Sequence, residues 1–221
     1  MPKSGLLHDG ATLLERALEA ARGAAAIAVV GPDPGVLPEG VLSCRENPPY
    51  AGPAAAIAAG LSALAQDRVW DPRHRAAAPY TLILACDMPR AGAAVRALLD
   101  EAAGAPPADG LVAVSADGRR QHLLGLYGTA VLQRRATEAA QRGALENASV
   151  FALLARLEVR EVSVPEGSTD DVDTWDDASA LGVTRPPAGN GSDSSNRHQP
   201  GTRPGTPQLN STLEANGENP G

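Results

Sequence analysis

The apolar run at positions 80–85 most constrains how this chain folds. It reads Tyr-Thr-Leu-Ile-Leu-Ala and is followed at once by Cys86, Asp87, Met88 and Pro89. The run is too short to span a membrane, its composition is typical of a buried parallel strand, and Pro89 ends it because proline cannot continue a sheet. Asp87 is therefore predicted at a strand tip, where open α/β sheets bind ligands. From this segment alone, Asp87 is either an oxygen ligand for a metal such as Mg²⁺ or the cap of the following turn or helix.

Short apolar runs alternate with Ala- and Leu-rich helical patterns over the first 184 residues. This alternation predicts βα repeats and an α/β fold with a mainly parallel sheet. The periodicity predicts helices over residues 12–22, 53–65, 93–103, 131–142 and 149–157, and a short last helix that starts at residue 175. It predicts strands over residues 26–30, 80–85, 111–114, 123–127 and 159–164, with a hairpin-like turn at 116–118.

Length and composition limit which classes of protein this chain can belong to. A chain of 221 residues with 43% hydrophobic content can form one sizeable domain, and 3% aromatic content means a core of Ala, Val, Leu and Ile. The net charge of −7 argues against binding to nucleic acid by counterion release. No signal sequence or membrane-length run is present, so we expect a cytoplasmic protein that has no membrane partner. Cys44 and Cys86 lack metal-site spacing and are expected to be reduced thiols.

The two ends of the chain differ from its middle. Residues 185–221 are rich in Pro, Gly, Ser and Asn, which predicts a disordered C-terminal tail after a domain of residues 1–184. At the other end, the chain reaches its first helix with no predicted strand before it, and it contains neither GxGxxG nor GxxxxGK[ST]. The strand and Gly-rich phosphate loop that open a nucleotide-binding domain are therefore expected to be missing from this sequence.

A second acidic cluster precedes the last predicted helix. Thr174 is a good N-cap with Asp177 three residues on, which predicts a capping box in which Asp replaces the usual Glu. Asp171 and Asp173 precede the cap, and either could join Asp87 in holding a metal, since oxygen ligands for a metal converge from separate parts of a chain. The alternative is a solvated, capped helix start with no ligand.

Several segments together carry a family resemblance. They are GATLLERALEA at 10–20, VVGPDP at 29–34, RENPPYAGPAAAIAAGL at 45–61, CDMP at 86–89, DGRRQHLLGLY at 117–127 and DVDT at 171–174. Over about residues 3–182 the chain resembles the molybdenum cofactor guanylyltransferase-like nucleotidyltransferases. The resemblance implies a Rossmann-like three-layer α/β/α fold. It also implies a Mg²⁺-dependent transfer of a nucleoside monophosphate from GTP to the phosphate of molybdopterin, with release of pyrophosphate.

The resemblance also implies roles for residues that would bind nucleotide and metal. Lys3 matches the phosphate-contacting lysine that closes the family's Gly-rich loop, although a solvated terminal lysine is the alternative. Asp87 matches the metal-binding aspartate, and Asp173 is the favoured second ligand. Asn47 takes the place of an aspartate near the bound nucleotide, and residues 31–33 match a loop that helps to select the base.

The resemblance also implies which residues would face the acceptor substrate, and they lie in a different segment. Arg119, Arg120, Gln121 and His122 match residues that face the acceptor, although a surface polar residue is the alternative for His122. Other functions stay open: a catalytically inactive binding or regulatory protein, or a related nucleotidyltransferase that uses CTP or a sugar phosphate. Absence of the first strand would leave an unpaired sheet edge beside residues 26–30.

Overall fold

The computed structural model describes residues 3–70 and 78–186. A compact unit ends at Pro186. After a 3₁₀ helix at Lys3–Gly5, the elements in chain order are β1 (Leu7–His8), β2 (Ala11–Thr12), α1 (Leu13–Ala20), β3 (Ile27–Val30), β4 (Val41–Cys44), α2 (Pro53–Trp70), β5 (Tyr80–Leu84), α3 (Gly92–Gly104), β6 (Gly110–Val114), β7 (Arg120–Gly128), α4 (Thr129–Gln141), α5 (Val150–Leu154), β8 (Val159–Ser163), α6 (Trp175–Ala180) and β9 (Val183–Thr184).

The largest sheet has four strands in the order β5-β7-β6-β8. Strand β7 is antiparallel to both β5 and β6, whereas β8 is parallel to β6. Strands β5, β6 and β8 therefore run in one direction and β7 runs against them. The predicted hairpin between β6 and β7 is confirmed, and Gly118 in its turn has a φ of 81°.

Helices cover both faces of this sheet because successive strand residues point to opposite sides. On one face, Ile83 and Tyr127 pack with α2, α4 and α5. On the other face, Leu124 and Leu126 pack with α3, where Val95 is also buried. The predicted three-layer α/β arrangement is confirmed.

Strands β3 and β4 form a separate parallel pair. Within the described residues, β3 pairs with β4 alone, and no pairing joins it to β5. Helix α2 packs directly on β3, since a Cβ added at Gly60 would lie 3.0 Å from Cγ2 of Val30. As expected, one edge of β3 has no paired strand within the described ranges. Strand β4 was not predicted, because its four residues show no periodicity that distinguishes a strand from a loop.

The expectation that no strand precedes the first helix was wrong. Strands β1 and β2 lie before α1 and form a small antiparallel sheet with β9. Each has only two residues, and the sequence gives no pattern at that length. The sheet is stabilised by a small core that joins both ends of the domain, formed by Leu6, Leu13, Val172, Ala178, Leu181 and Val183.

The other predicted elements are found with changed bounds. Helix α2 continues to Trp70, and α5 ends at Leu154 instead of residue 157. Strand β7 starts at Arg120, three residues before the predicted start. Both cysteines are free.

The predicted tail boundary falls at the edge of the described residues. Arg185 lies over the ring of Trp175, with its Cζ 4.3 Å from the ring centroid. The rest of the predicted tail, from residue 187 onward, lies outside the described residues. None of the helices in the described part of the chain is long and apolar enough to cross a membrane.

Candidate functional site

Asp87 lies three residues beyond the end of β5, as the sequence predicts. Its backbone carbonyl accepts a hydrogen bond from the N–H of Val172, at 3.0 Å. Val172 is only 3% exposed and belongs to the small core between the chain's two ends. Because Val172 is anchored in this way, the exposed residues on either side of it, Asp171 and Asp173, are held next to Asp87.

Lys3 joins the two carboxylates that the resemblance assigns to a metal. Its Nζ lies 2.6 Å from Oδ1 of Asp173 and 3.7 Å from Oδ2 of Asp87. The three residues come from the first turn of the chain, the tip of β5 and the loop before α6. The structure thus brings together Lys3, Asp87 and Asp173, which we name the carboxylate–lysine cluster.

The charges in this cluster depend on one another. Burial raises the pKa of Asp87, and the nearby carboxylates of Asp171 and Asp173 add to this, while the Lys3 ammonium opposes it. Burial alone would lower the pKa of Lys3, but its hydrogen bond to Asp173 and the surrounding carboxylates outweigh burial and raise it. At neutral pH Lys3 is therefore a charged ammonium group, and the surrounding carboxylates stabilise its charge.

The start of α6 fixes the position of Asp173. The Thr174 N–H donates to Oδ2 of Asp177 at 2.7 Å, and the Asp177 N–H donates to Oγ1 of Thr174 at 3.1 Å. These bonds form the predicted capping box, and the hydrogen bond from Thr174 lowers the pKa of the Asp177 carboxyl. Asp177 is thus engaged in the cap, and Asp173 remains available to Lys3.

A polar cavity of about 580 Å³ adjoins the cluster. It lies between the β6–β7 turn and the loop before α6, and Asp171 lines it beside the cluster. Two of the predicted acceptor residues, Arg119 and Gln121, line it as well. The residues predicted to face the acceptor, Arg119 and Gln121, thus line a cavity next to the predicted metal ligand Asp87.

His122 lies elsewhere. Its ring packs edge-on against Phe151 of α5, with centroids 5.8 Å apart, and it does not line the cavity that Gln121 lines. Adjacent strand residues point to opposite faces, which explains the difference from Gln121. Burial, with the charge of Arg120, lowers the pKa of His122. The acceptor role predicted for His122 therefore gains no support from this placement.

Asn47 lies exposed in the loop after β4. No hydrogen bond or ion pair connects it with Lys3, Asp87 or Asp173. A hydrogen bond within the loop stabilises it, because the Tyr50 N–H donates to Oε1 of Glu46 at 2.8 Å. In the predicted base-selecting loop, the Gly35 N–H donates to Oδ1 of Asp33 at 2.9 Å. The nucleotide roles of Asn47 and of residues 31–33 stay predictions.

The sequence interpretation missed part of the cavity wall. Arg90, Glu166, Thr169 and Asp170 also line the cavity. Arg90 follows Pro89 directly, so its position after the strand-tip motif was a usable signal. The loop that carries the other three residues has no periodicity or motif, and only the tertiary fold brings it to the cavity.

The cluster fits Mg²⁺ held jointly with a nucleotide. Within the described ranges, no group of three or more His, Cys, Asp or Glu side chains could hold a metal by itself. Mg²⁺, however, is usually bound by one or two carboxylates together with substrate phosphates and water. Asp87 and Asp173 both lie within 4 Å of one ammonium group, so both can face a single cation.

Comparison with known proteins identifies the family. The sequence matches the MobA-like NTP transferase domain over residues 1–160. The chain belongs to the MobA-like NTP transferase family. It is accordingly a nucleotidyltransferase. No curated protein sequence matches it significantly.

Solved structures of similar fold include two with named activities or pathways. One is 2-C-methyl-D-erythritol 4-phosphate cytidylyltransferase from Thermus thermophilus, at 21% identity and a TM-score of 0.56, covering 81% of this chain and 91% of that one. Another is molybdopterin-guanine dinucleotide biosynthesis protein A from Archaeoglobus fulgidus, at 20% identity and a TM-score of 0.55, covering 82% and 89%. A third, Rv0371c from Mycobacterium tuberculosis, has 25% identity and a TM-score of 0.55, covering 82% and 88%.

Proposed function

We propose that this nucleotidyltransferase transfers GMP from GTP to the phosphate of a molybdopterin-type acceptor and releases pyrophosphate, with Mg²⁺ as cofactor. The observation that carries the proposal is the Lys3 ammonium between Asp87 and Asp173, beside the polar cavity. A cation-binding pair of carboxylates and a phosphate-binding lysine are the groups that a nucleoside triphosphate and its metal require.

The chain's own residues would act by positioning and charge. Lys3 would move from the carboxylates to the triphosphate, which it binds through its ammonium protons. Asp87 and Asp173 would hold Mg²⁺, and the bound ion would supply charge neutralisation for the pyrophosphate that leaves. The acceptor phosphate is already ionised at neutral pH, so its oxygen attacks the α-phosphorus without a general base. One P–O bond forms to the acceptor as the P–O bond to pyrophosphate breaks.

The cavity next to the cluster is suited to the acceptor. Its volume of about 580 Å³ lies within the roughly 300–1,000 Å³ of small-molecule sites. Arg119 and Arg90 can bind an acceptor phosphate, and Gln121 can donate or accept hydrogen bonds. The carboxylates of Asp117, Glu166 and Asp170 on the same wall favour an acceptor that also presents hydrogen-bond donors.

A second candidate is cytidylyl transfer to another small phosphate. The cytidylyltransferase from Thermus thermophilus and the molybdopterin-guanine dinucleotide biosynthesis protein from Archaeoglobus fulgidus resemble this chain to the same extent. Asn47 stands where the family's pattern has an aspartate near the nucleotide, and this departure favours testing CTP beside GTP. The same site without turnover would correspond to a nucleotide-binding regulatory protein.

The test is a product analysis by mass spectrometry. The purified protein is incubated with Mg²⁺ and GTP or CTP, and with molybdopterin or 2-C-methyl-D-erythritol 4-phosphate. We expect molybdopterin guanine dinucleotide and pyrophosphate from the first pair, and a cytidylyl product would instead select the second candidate. No product from any pair would contradict the enzymatic proposal.

Matched variants link that product to the cluster. Asp87→Asn should lower the turnover at least about 100-fold, because it removes a metal ligand. Asp176→Asn, in the exposed first turn of α6, should retain it. Undiminished turnover in Asp87→Asn would overturn the assignment of this residue.

A further inference from the structure

Three arginines surround a second cavity that lies between α4 and α5. Arg135, Arg142 and Arg156 line this cavity, whose volume is about 210 Å³. Its apolar wall includes Ala139 and Leu153, which are buried in the main core. None of the described residues that line it is an Asp or a Glu. We call this feature the arginine cavity.

The cations of the arginine cavity are incompletely paired. Arg135 reaches Glu138 with one terminal nitrogen, Nη1 to Oε2 at 3.1 Å, but its Nε is buried and has no hydrogen-bond partner. Arg142 and Arg156 are exposed, and neither forms an ion pair or a side-chain hydrogen bond with another described residue. A buried donor without a protein partner is uncommon in folded proteins.

Helix termini explain only part of this arrangement. Arg142 is the C-cap of α4, and Arg156 follows the end of α5, where cations are favoured by the helix dipole. This effect accounts for the presence of two positive charges. It does not account for the unpaired Nε of Arg135 in the middle of α4, nor for three like charges around one cavity in a chain of net charge −7.

We propose that the arginine cavity binds the phosphate group of a small inorganic anion, at a site separate from the nucleotide site. Guanidinium groups form paired, charge-assisted hydrogen bonds to phosphate oxygens, and among the described residues three of them line this cavity without a carboxylate beside them. The volume is below the roughly 300 Å³ at which drug-sized sites begin, so a whole nucleotide is excluded. None of its lining residues belongs to the carboxylate–lysine cluster or to the 580 Å³ cavity.

The test is an NMR titration of ¹⁵N-labelled protein, first with inorganic phosphate and separately with pyrophosphate, while the Nε–H signals of the arginines are recorded. We expect a saturable shift of the Arg135 Nε–H signal. Arg142→Gln and Arg156→Gln should each weaken binding about tenfold, because each removes a charge-assisted hydrogen bond. Arg156→Lys should recover part of the affinity, because it keeps the charge.

The controls separate this site from the proposed function. Arg134→Gln, an exposed arginine of the same helix that does not line the cavity, should bind phosphate as the wild type does. Asp87→Asn should also bind normally, whether or not the protein transfers nucleotides. The proposal is overturned if phosphate causes no saturable shift, if Arg134→Gln weakens binding as much as Arg156→Gln, or if binding requires Asp87. Tighter binding of pyrophosphate than of phosphate would identify the longer anion as the ligand.

Discussion

Asp87 carries its charge in a partly buried position. The side chain is 26% exposed, and burial raises its pKa although Lys3 lies 3.7 Å away. A raised pKa means that the folded state holds the proton of Asp87 more tightly than the unfolded state does. The ionised form of Asp87 therefore costs stability.

This cost predicts a pH-dependent effect of Asp87→Asn on stability. As pH rises from the ordinary pKa of aspartate through the raised pKa of Asp87, the wild type loses stability, and the loss is complete above the raised value. The variant lacks this loss. Its melting temperature should exceed that of the wild type at neutral pH, and the difference should shrink toward about pH 4. Thermal unfolding across this range tests it, with Asp176→Asn as the control.

A melting-temperature difference between Asp87→Asn and the wild type that is the same at all pH values would contradict the charge-based explanation.

At the residue scale, the sequence singled out two carboxylates that the structure brings together, while their metal-binding role stays a prediction. The strand-tip motif singled out Asp87, and the DVDT segment singled out Asp173. The contact of Asp173 with Lys3, 170 residues away, follows from the tertiary fold, and no local pattern predicts it.

The capping box of α6 has a role at the scale of secondary structure elements. Thr174→Ala removes the side-chain acceptor of the Asp177 N–H and should cost about 1 kcal/mol of unfolding free energy. Because Thr174 directly follows Asp173, the variant should also raise the KM for the nucleotide. Urea unfolding and steady-state kinetics measure the two effects.

The other capping box of the chain provides a matched control. Thr12 caps α1, and its Oγ1 accepts a hydrogen bond from the Glu15 N–H at 3.1 Å. Thr12→Ala should cost a similar free energy of unfolding but leave the KM unchanged. Equal effects of both variants on the KM would show that the α6 cap does not position Asp173.

Strand β7 depends on a glycine at its centre. A Cβ at Gly125 would lie 2.6 Å from the hydroxyl oxygen of Tyr127, a fully buried side chain whose hydroxyl donates to the His122 carbonyl at 3.0 Å. Gly125→Ala should therefore lower the unfolding free energy by about 1–3 kcal/mol. Gly104→Ala, where a Cβ meets nothing within 4 Å, should be neutral or slightly stabilising. Equal chemical-denaturation midpoints for the two variants would contradict this packing argument.

Elements with strong periodicity were predictable and the shortest ones were not. The amphipathic pattern of α1 and the apolar run of β5 gave the correct element types. Strands β1, β2 and β9 have two residues each, and pairing alone creates them. Strand β7 starts earlier than predicted because Arg120 and Gln121 are polar residues that pair with β6 near its open end.

At the scale of the whole molecule, strands β6 and β3 differ in how many neighbouring strands they pair with and in how deeply they are buried. Strand β6 is paired on both sides and almost entirely buried. Strand β3 is paired with β4 alone among the described residues, and its four residues are only half-buried. Local opening should therefore cost less free energy at β3–β4 than at β6–β7.

Hydrogen exchange followed by mass spectrometry tests this difference. We expect peptides that cover residues 27–44 to exchange faster than peptides that cover residues 110–128. Equal protection of the two regions would show that β3 has a partner on its second edge under the conditions of the experiment. The alternation of strands and helices predicted the α/β class, but the order of strands depends on long-range pairing, which the alternation does not encode.

The metal site proposed at the carboxylate–lysine cluster is tested by the affinity for Mn²⁺, used as a spectroscopic substitute for Mg²⁺, in the presence of a non-hydrolysable GTP analogue. Electron paramagnetic resonance reports free Mn²⁺ for the wild type and for Asp87→Asn, Asp173→Asn and Asp176→Asn. We expect affinities at least about tenfold weaker in the first two variants and unchanged in the third. Wild-type affinity in both Asp87→Asn and Asp173→Asn would contradict a shared metal site at the carboxylate–lysine cluster.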